Sequence, residues 1–181
     1  MIASLDCSRS LAQKLALLSR ALIAVLLIAS NPTASDAASR QRSVEPAFSG
    51  AVVRVVDGDS IEVMREGRAV KVRLLGIDCP EKKQPFGRRA KERTAALAYG
   101  KVVKVRPSGV DRYGRIMADV ILPDGRNLNR ELVREGMAWW FRRYSTDRVL
   151  QALEAEARSQ RRGLWADKDP VPPWSYRRRQ R

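Results

Sequence analysis

The chain has 181 residues, 44% hydrophobic and 30% charged, which is enough for one compact domain and unlike a disordered or fibrous composition. Lysine and arginine outnumber aspartate and glutamate by 35 to 20, and the net charge of +15 favours a polyanionic partner such as nucleic acid, anionic lipid or acidic polysaccharide. There is no histidine, so any chemistry must use carboxylates, arginine, lysine, tyrosine, hydroxyls or a hard metal ion, and the two cysteines, Cys7 and Cys79, are too few for a zinc site.

Residues 1 to 20 carry Arg9, Lys14 and Arg20 and lead into the apolar run "ALIAVLLIAS" and the small-residue stretch "NPTASDAAS". A basic segment, an apolar run too short to span a bilayer and small residues at a cut are the layout of a secretory signal peptide over 1–37. Ser35 and Ala37 suit the positions before cleavage, so the mature chain is expected to begin near Ala38 with Cys79 as its single cysteine. The export predicted is secreted or periplasmic. A membrane anchor at residues 21–30 is the competing reading of the same run.

Residues 38–48 read as a polar linker. From Ser49, "AVVRVV", "SIEVMREG" and "AVKVRLLG" are β-branched runs separated by "DGD" and "EGR", a three-stranded meander with tight turns. "PFGRRAKERTAALAYG" follows as a helix, with Ala90, Thr94, Leu97 and Ala98 on one face and Gly100 at its stop. "KVVKVRP" and "RIMADVILPDG" are two further strands. "NLNRELVREGMA" is a second helix capped by Asn127, with Leu128, Leu132 and Val133 on its inner face. After "WWFRRYS", the segment "TDRVLQALEAEARSQRRG" is a third helix, with Val149, Leu150, Leu153 and Ala157 expected inward. The tail, 167–181, is Pro-rich and then basic, and its composition predicts disorder or loose docking. Five short strands and three helices give an α+β, mainly β fold: an OB-type barrel over 49–166 with helices packed against it. A twisted open sheet with helices on one side is the structural alternative.

In "AVKVRLLG", Val70, Val72 and Leu74 alternate toward the core, which puts Arg73 on the opposite face. An outward arginine on a solvated sheet face would explain it alone. In "VVDGDS", Asp57 serves the turn, whereas Asp59 opens the next strand, where a carboxylate is disfavoured without a role. Asp78 follows the third strand, and Pro80 stops that strand. A sheet bringing the start of the second strand and the end of the third to one rim converges Asp59 and Asp78 on a hard-oxygen site for Ca²⁺ or Mg²⁺. Glu81 is placed to orient water there, or is an ordinary loop glutamate beside Lys82 and Lys83. Gly114 permits a turn before Arg115, which opens the fifth strand. Two guanidinium forks and a metal facing one phosphate would neutralise the charge that builds on a five-coordinate phosphorus. Taken together, the residues point to metal-assisted phosphodiester hydrolysis.

"VVDGDSIEV", "VRLLGIDCPE" and "DRYGRIMADV", followed by "NRELVREGMAWW" and "GLW", resemble the thermonuclease, or staphylococcal nuclease-like, family from about Ala51 to Trp165. The resemblance implies an OB-fold, Ca²⁺-dependent endonuclease that cuts DNA and RNA at the bond to the 5′ oxygen and leaves 3′-phosphate ends. It also implies that Asp59 and Asp78 ligate Ca²⁺ with the backbone carbonyl of Cys79, that Arg73 and Arg115 hold the scissile phosphate, and that Glu81 is the general base or water-orienting group. Arg112 and Tyr113 would lie near a terminal phosphate, and Tyr144 near a base or sugar. Two departures stand out: the best-known member has threonine where this chain has Cys79, a lone thiol open to oxidation, and the segment from Glu81 to Arg115 is shorter here. Trp139, Trp140 and Phe141 read first as packing and second as a stacking surface for unpaired bases. A monomer without a stable protein partner is expected. The rivals are a non-catalytic nucleic-acid-binding OB module and a surface-anchored polyanion binder.

Overall fold

The computed structural model describes residues 46–180. The signal or anchor segment and most of the expected linker lie outside the described residues.

Three strands open the domain, β1 (Phe48–Asp57), β2 (Ser60–Arg65) and β3 (Arg68–Leu74). Between β2 and β3, Glu66 and Gly67 both have positive φ, 50° and 77°, the mirror-image turn whose twist matches two antiparallel strands. A two-residue β4 (Ile77–Asp78) precedes helix α1 (Gly87–Ala98), and β5 (Val102–Val110) and β6 (Ile116–Ile121) follow. The chain then runs through α2 (Leu128–Arg134), β7 (Trp139–Trp140), α3 (Arg148–Ser159), a 3₁₀ turn at Gly163–Ala166 and α4 (Pro173–Arg179).

β1, β2, β3, β6 and β5 form a closed barrel in that order, with β1 and β5 sealing it. All pairs are antiparallel except β3 with β6, where Val72 pairs with Ile116 and Leu74 with Ala118. This is the five-stranded OB-type barrel that the sequence predicts. Its interior is β-branched, with Val52, Ile61, Val63, Val72, Val103 and Val120 all buried. Helix α2 packs against β6 and joins the core through Leu128, Leu132 and Val133, and Asn127 caps it by accepting from the N–H of Arg130.

Two expectations change. Val149 is 45% exposed, because the buried stripe of α3 runs through Leu150, Leu153, Glu154 and Ala157, and position 149 is turned about 100° away from it. The tail is not loose. Pro173 starts α4 at a position where its missing N–H costs nothing and is itself buried, and Trp174 packs on Trp139 and Phe141. A fourth helix therefore joins the three predicted.

Candidate active site

The barrel topology brings distant residues to one rim. Ser60 pairs with Arg73 across β2 and β3, and the N–H of Leu74 donates to the carbonyl of Asp59 at 2.8 Å, so the start of β2 lies against the end of β3. Because β6 runs parallel to β3 from Ile116 opposite Val72, Arg115 enters at that rim. The short β4–β7 ladder pairs Asp78 with Trp139 and fixes the third side.

The turn before β2 is held from within and from below. Asp57 accepts from the N–H of Asp59 at 3.2 Å, which is the turn-making role predicted for it. Thr94 of α1, fully buried, donates its hydroxyl to the carbonyl of Gly58 at 2.6 Å. A side chain at Gly58 would collide with Cys79 and Ala90, so glycine lets the turn sit directly on α1.

Asp59 and Asp78, both buried, aim at one guanidinium. Arg73 is ion-paired with Asp59 and donates to Oδ1 of Asp78 at 2.8 Å, and its side chain is only 14% exposed. It points out of the core as the alternation predicts, but into a carboxylate cluster and not into solvent. From Asp59 the chain of contacts continues through Ser60, whose hydroxyl donates to Asp59 Oδ1 at 3.2 Å and accepts from Arg115 Nη1 at 3.3 Å. Arg115 is also held by Asp111, with Nε to Oδ2 at 2.8 Å. On the other side, Arg177 of α4 donates to Asp78 Oδ2 at 2.7 Å and to Glu81 Oε1 at 2.6 Å. One polar network thus runs Arg115–Ser60–Asp59–Arg73–Asp78–Arg177–Glu81.

Crowding of carboxylates shows in their protonation. Burial, followed by the neighbouring Asp59, pushes the carboxyl of Asp57 up to about 6. Burial also raises Asp78, with Arg177 and Arg73 opposing the rise. Burial disfavours the charge on Arg73, but Asp59 and Asp78 outweigh it and hold the guanidinium firmly protonated.

Cys79 is buried with its N–H, not its thiol, engaged: the N–H donates to Asp59 Oδ2 at 2.7 Å. Burial and the nearby Asp59 raise the thiol well above its ordinary value.

Among the described residues, no three Asp, Glu or Cys side chains form a ready metal cage. The donors at the rim nonetheless fit a hard divalent cation: the carboxylates of Asp59 and Asp78 already converge on one centre of positive charge, and both are oxygen donors.

The remaining predicted residues flank this network. Arg112 and Tyr113 sit on the exposed turn between β5 and β6, where Arg112 donates to the Tyr113 hydroxyl at 2.8 Å and lies over its ring. Tyr144 is on another side, in an open cleft of about 610 Å³ that Phe141, Pro172, Trp174, Arg177 and Arg178 also line. Phe141 stacks on Trp174 at 5.2 Å with the planes 2° apart. Trp139 is buried between Trp165 and Trp174, which is packing, as first read.

Sequence reasoning missed Ser60, Gln84, Trp174 and Arg177. Gln84 is buried; it accepts from the N–H of Glu81 at 3.1 Å and donates to the carbonyl of Val171 at 2.5 Å, linking the Glu81 turn to the tail. A signal was present in "PPWSYRRR": two prolines at a helix start, and Trp174 and Arg177 three apart on one helical face.

Residues 71–167 match the family of staphylococcal nuclease homologues. Over 130 residues the chain is 54% identical to an uncharacterized endonuclease of Escherichia coli, spanning 72% of this chain and 85% of that protein. It is 42% identical over 165 residues to a micrococcal nuclease of Shigella flexneri, covering 86% of this chain and 88% of the relative. A staphylococcal-like nuclease of Arabidopsis thaliana is 34% identical over 128 residues, 71% of this chain and 39% of the plant protein.

Proposed function

The chain belongs to the staphylococcal nuclease homologue family, and on that premise we propose that it is an exported, Ca²⁺-dependent endonuclease that hydrolyses DNA and RNA and leaves 3′-phosphate ends. The observation that carries this reading is the polar network at the barrel rim, in which two buried carboxylates, two phosphate-sized guanidinium forks and a partly exposed carboxylate share one surface.

Asp59 and Asp78 would hold the cation, which when bound supplies positive charge beside the phosphate. Arg73 and Arg115 bind non-bridging oxygens of the scissile phosphate and neutralise the charge that develops there. In the resting site Arg73 is occupied by Asp59 and Asp78 and Arg115 by Asp111, so on binding the two guanidinium groups exchange carboxylate partners for the phosphate. Glu81, with a side chain 39% exposed, receives a proton from the attacking water. The water oxygen bonds to phosphorus, the bond to the 5′ oxygen breaks, that oxygen takes a proton from solvent water and leaves as a hydroxyl, and Glu81 returns its proton to solvent. Arg142, Arg143 and Arg178 around the aromatic cleft give a strand an electrostatic path to the rim and rings on which bases can stack.

The test is cleavage of plasmid, single-stranded DNA and RNA with Ca²⁺, with Mg²⁺ and with chelator, together with end analysis of the products. Calcium-dependent degradation to 3′-phosphates that Glu81→Gln removes is the expected result. Tight, salt-sensitive binding with no cleavage under any ion would leave a binding module and overturn the enzyme. Recovery of a chain shortened near Ala38 outside the inner membrane tests export.

A further inference from the structure

Helix α4 lies beyond the residues matched to the family, yet it enters the candidate site. Trp174 stacks on Phe141 and meets Trp139 edge-on, Pro173 is buried, and buried Gln84 donates to the carbonyl of Val171. Gln84 also receives the N–H of Glu81, so the segment before α4 and the Glu81 turn share one anchor. That turn is tightly packed at its far end, where a side chain on Gly87 would overlap the Glu81 carbonyl.

The backbone of Glu81 is therefore fixed, but its side chain is not fixed by the turn. Among the described residues, Arg177 is the only side chain that hydrogen-bonds the Glu81 carboxylate. The same guanidinium engages both oxygens of Asp78, Oδ2 at 2.7 Å and Oδ1 at 3.3 Å. Burial disfavours its charge, but these two carboxylates outweigh that and keep it protonated.

We propose that Arg177 is a positioning residue of this active site, which aims the Glu81 carboxylate at the Asp59–Asp78 rim and, by covering Asp78, lowers the resting affinity for the divalent cation. This rests on the nuclease reading above. A half-exposed glutamate without Arg177 samples several rotamers, and a misplaced base slows the proton transfer without weakening the grip of the strand. A cation must take an Asp78 oxygen from a guanidinium, so removing Arg177 frees a ligand while disordering the base. A merely structural arginine produces neither effect.

The experiment uses the full chain and the variants Arg177→Ala, Arg177→Lys, Glu81→Gln and the double variant Glu81→Gln/Arg177→Ala. Turnover on single-stranded DNA at saturating Ca²⁺ is measured alongside Ca²⁺ binding by calorimetry without substrate. Arg177→Ala is expected to lower kcat about 10²-fold with KM nearly unchanged, and Arg177→Lys to recover part of it. In the Glu81→Gln background the loss of Arg177 should cost nothing further. Calorimetry should show Ca²⁺ bound about tenfold tighter by Arg177→Ala. The guanidinium is half-exposed, so the variants fold, and thermal unfolding verifies it. Arg179→Ala, an exposed charge of the same helix, should leave kcat unchanged. Unchanged or faster turnover by Arg177→Ala overturns the proposal, as does an equal loss in the Glu81→Gln background. A wild-type chain that binds Ca²⁺ but cuts nothing sinks the nuclease reading itself, and the positioning role with it.

Discussion

The N–H of Cys79 donates to Oδ2 of Asp59 across 2.7 Å, tying the end of β4 to the start of β2 although the two residues are 20 apart in sequence. The residue thus serves the site through its backbone, and its thiol fills space against Gly58. Cys79→Ala should keep calcium-dependent cleavage near wild type and cost about 1 kcal/mol of stability for the lost buried volume. In the native protein the Cys79 thiol should resist alkylation until denaturant is added, as followed by peptide mass spectrometry. Rapid alkylation of Cys79 in the folded chain would contradict its burial.

Thr94 and Gly58 form the second long-range tie. Thr94→Val keeps the shape of the side chain but leaves the buried Gly58 carbonyl without its donor. Urea unfolding should show a loss of about 1–3 kcal/mol. Because that carbonyl belongs to the turn that presents Asp59, Ca²⁺ affinity should fall as well, whereas a defect in general packing would lower stability alone.

Arg73 neutralises two buried carboxylates at once. Arg73→Ala should destabilise the calcium-free protein by about 3 kcal/mol, since it leaves Asp59 and Asp78 facing each other without their shared counter-charge. Added Ca²⁺ should then raise the Tm of this variant more than that of wild type, as a ligand stabilises the folded state it binds. Arg73→Lys should not restore turnover, because an ammonium cannot span two carboxylates or grip a phosphate bidentately. Equal calcium-induced shifts in Tm for variant and wild type would argue against a shared Asp59–Asp78 site.

Asp111 sets a pH dependence. Partial burial raises its carboxyl, but hydrogen bonds from the N–H and guanidinium of Arg115 and from the N–H of Tyr113 outweigh this and hold it below its ordinary value of 3.8. A folded-state pKa below the unfolded one means stability that is complete above the ordinary value and is lost as pH falls through the folded value. Asp111→Asn should therefore be about 1 kcal/mol less stable at pH 7, with the gap to wild type closing below about pH 4. A gap that persists at low pH would show that packing, not the charge, is what Asp111 contributes.

By itself, the sequence determined the barrel and the identity of most of its rim. Alternation in "AVKVRLLG" separates Arg73 from the core, and the β-branched runs and Gly turns mark the five strands, because period-2 burial and turn chemistry are local properties. Asp59 and Asp78 were legible because each stands at a strand boundary where a carboxylate is disfavoured without a role, whereas Glu81, in a loop, and Arg115, after a turn, took their roles only from standing beside them in the pattern and from the family resemblance. Only the tertiary structure decided what these charges face. Parallel pairing of β3 with β6 delivers Arg115, and Ser60 links it to Asp59, a contact that depends on two strands meeting and leaves no trace in local pattern. The tail was misjudged for the same reason. Its Pro-rich and basic composition describes a segment unable to fold alone, whereas Trp174 and Arg177 gain their order from Phe141, Trp139, Asp78 and Glu81, residues 33 to 99 positions away that only the folded barrel gathers beneath them.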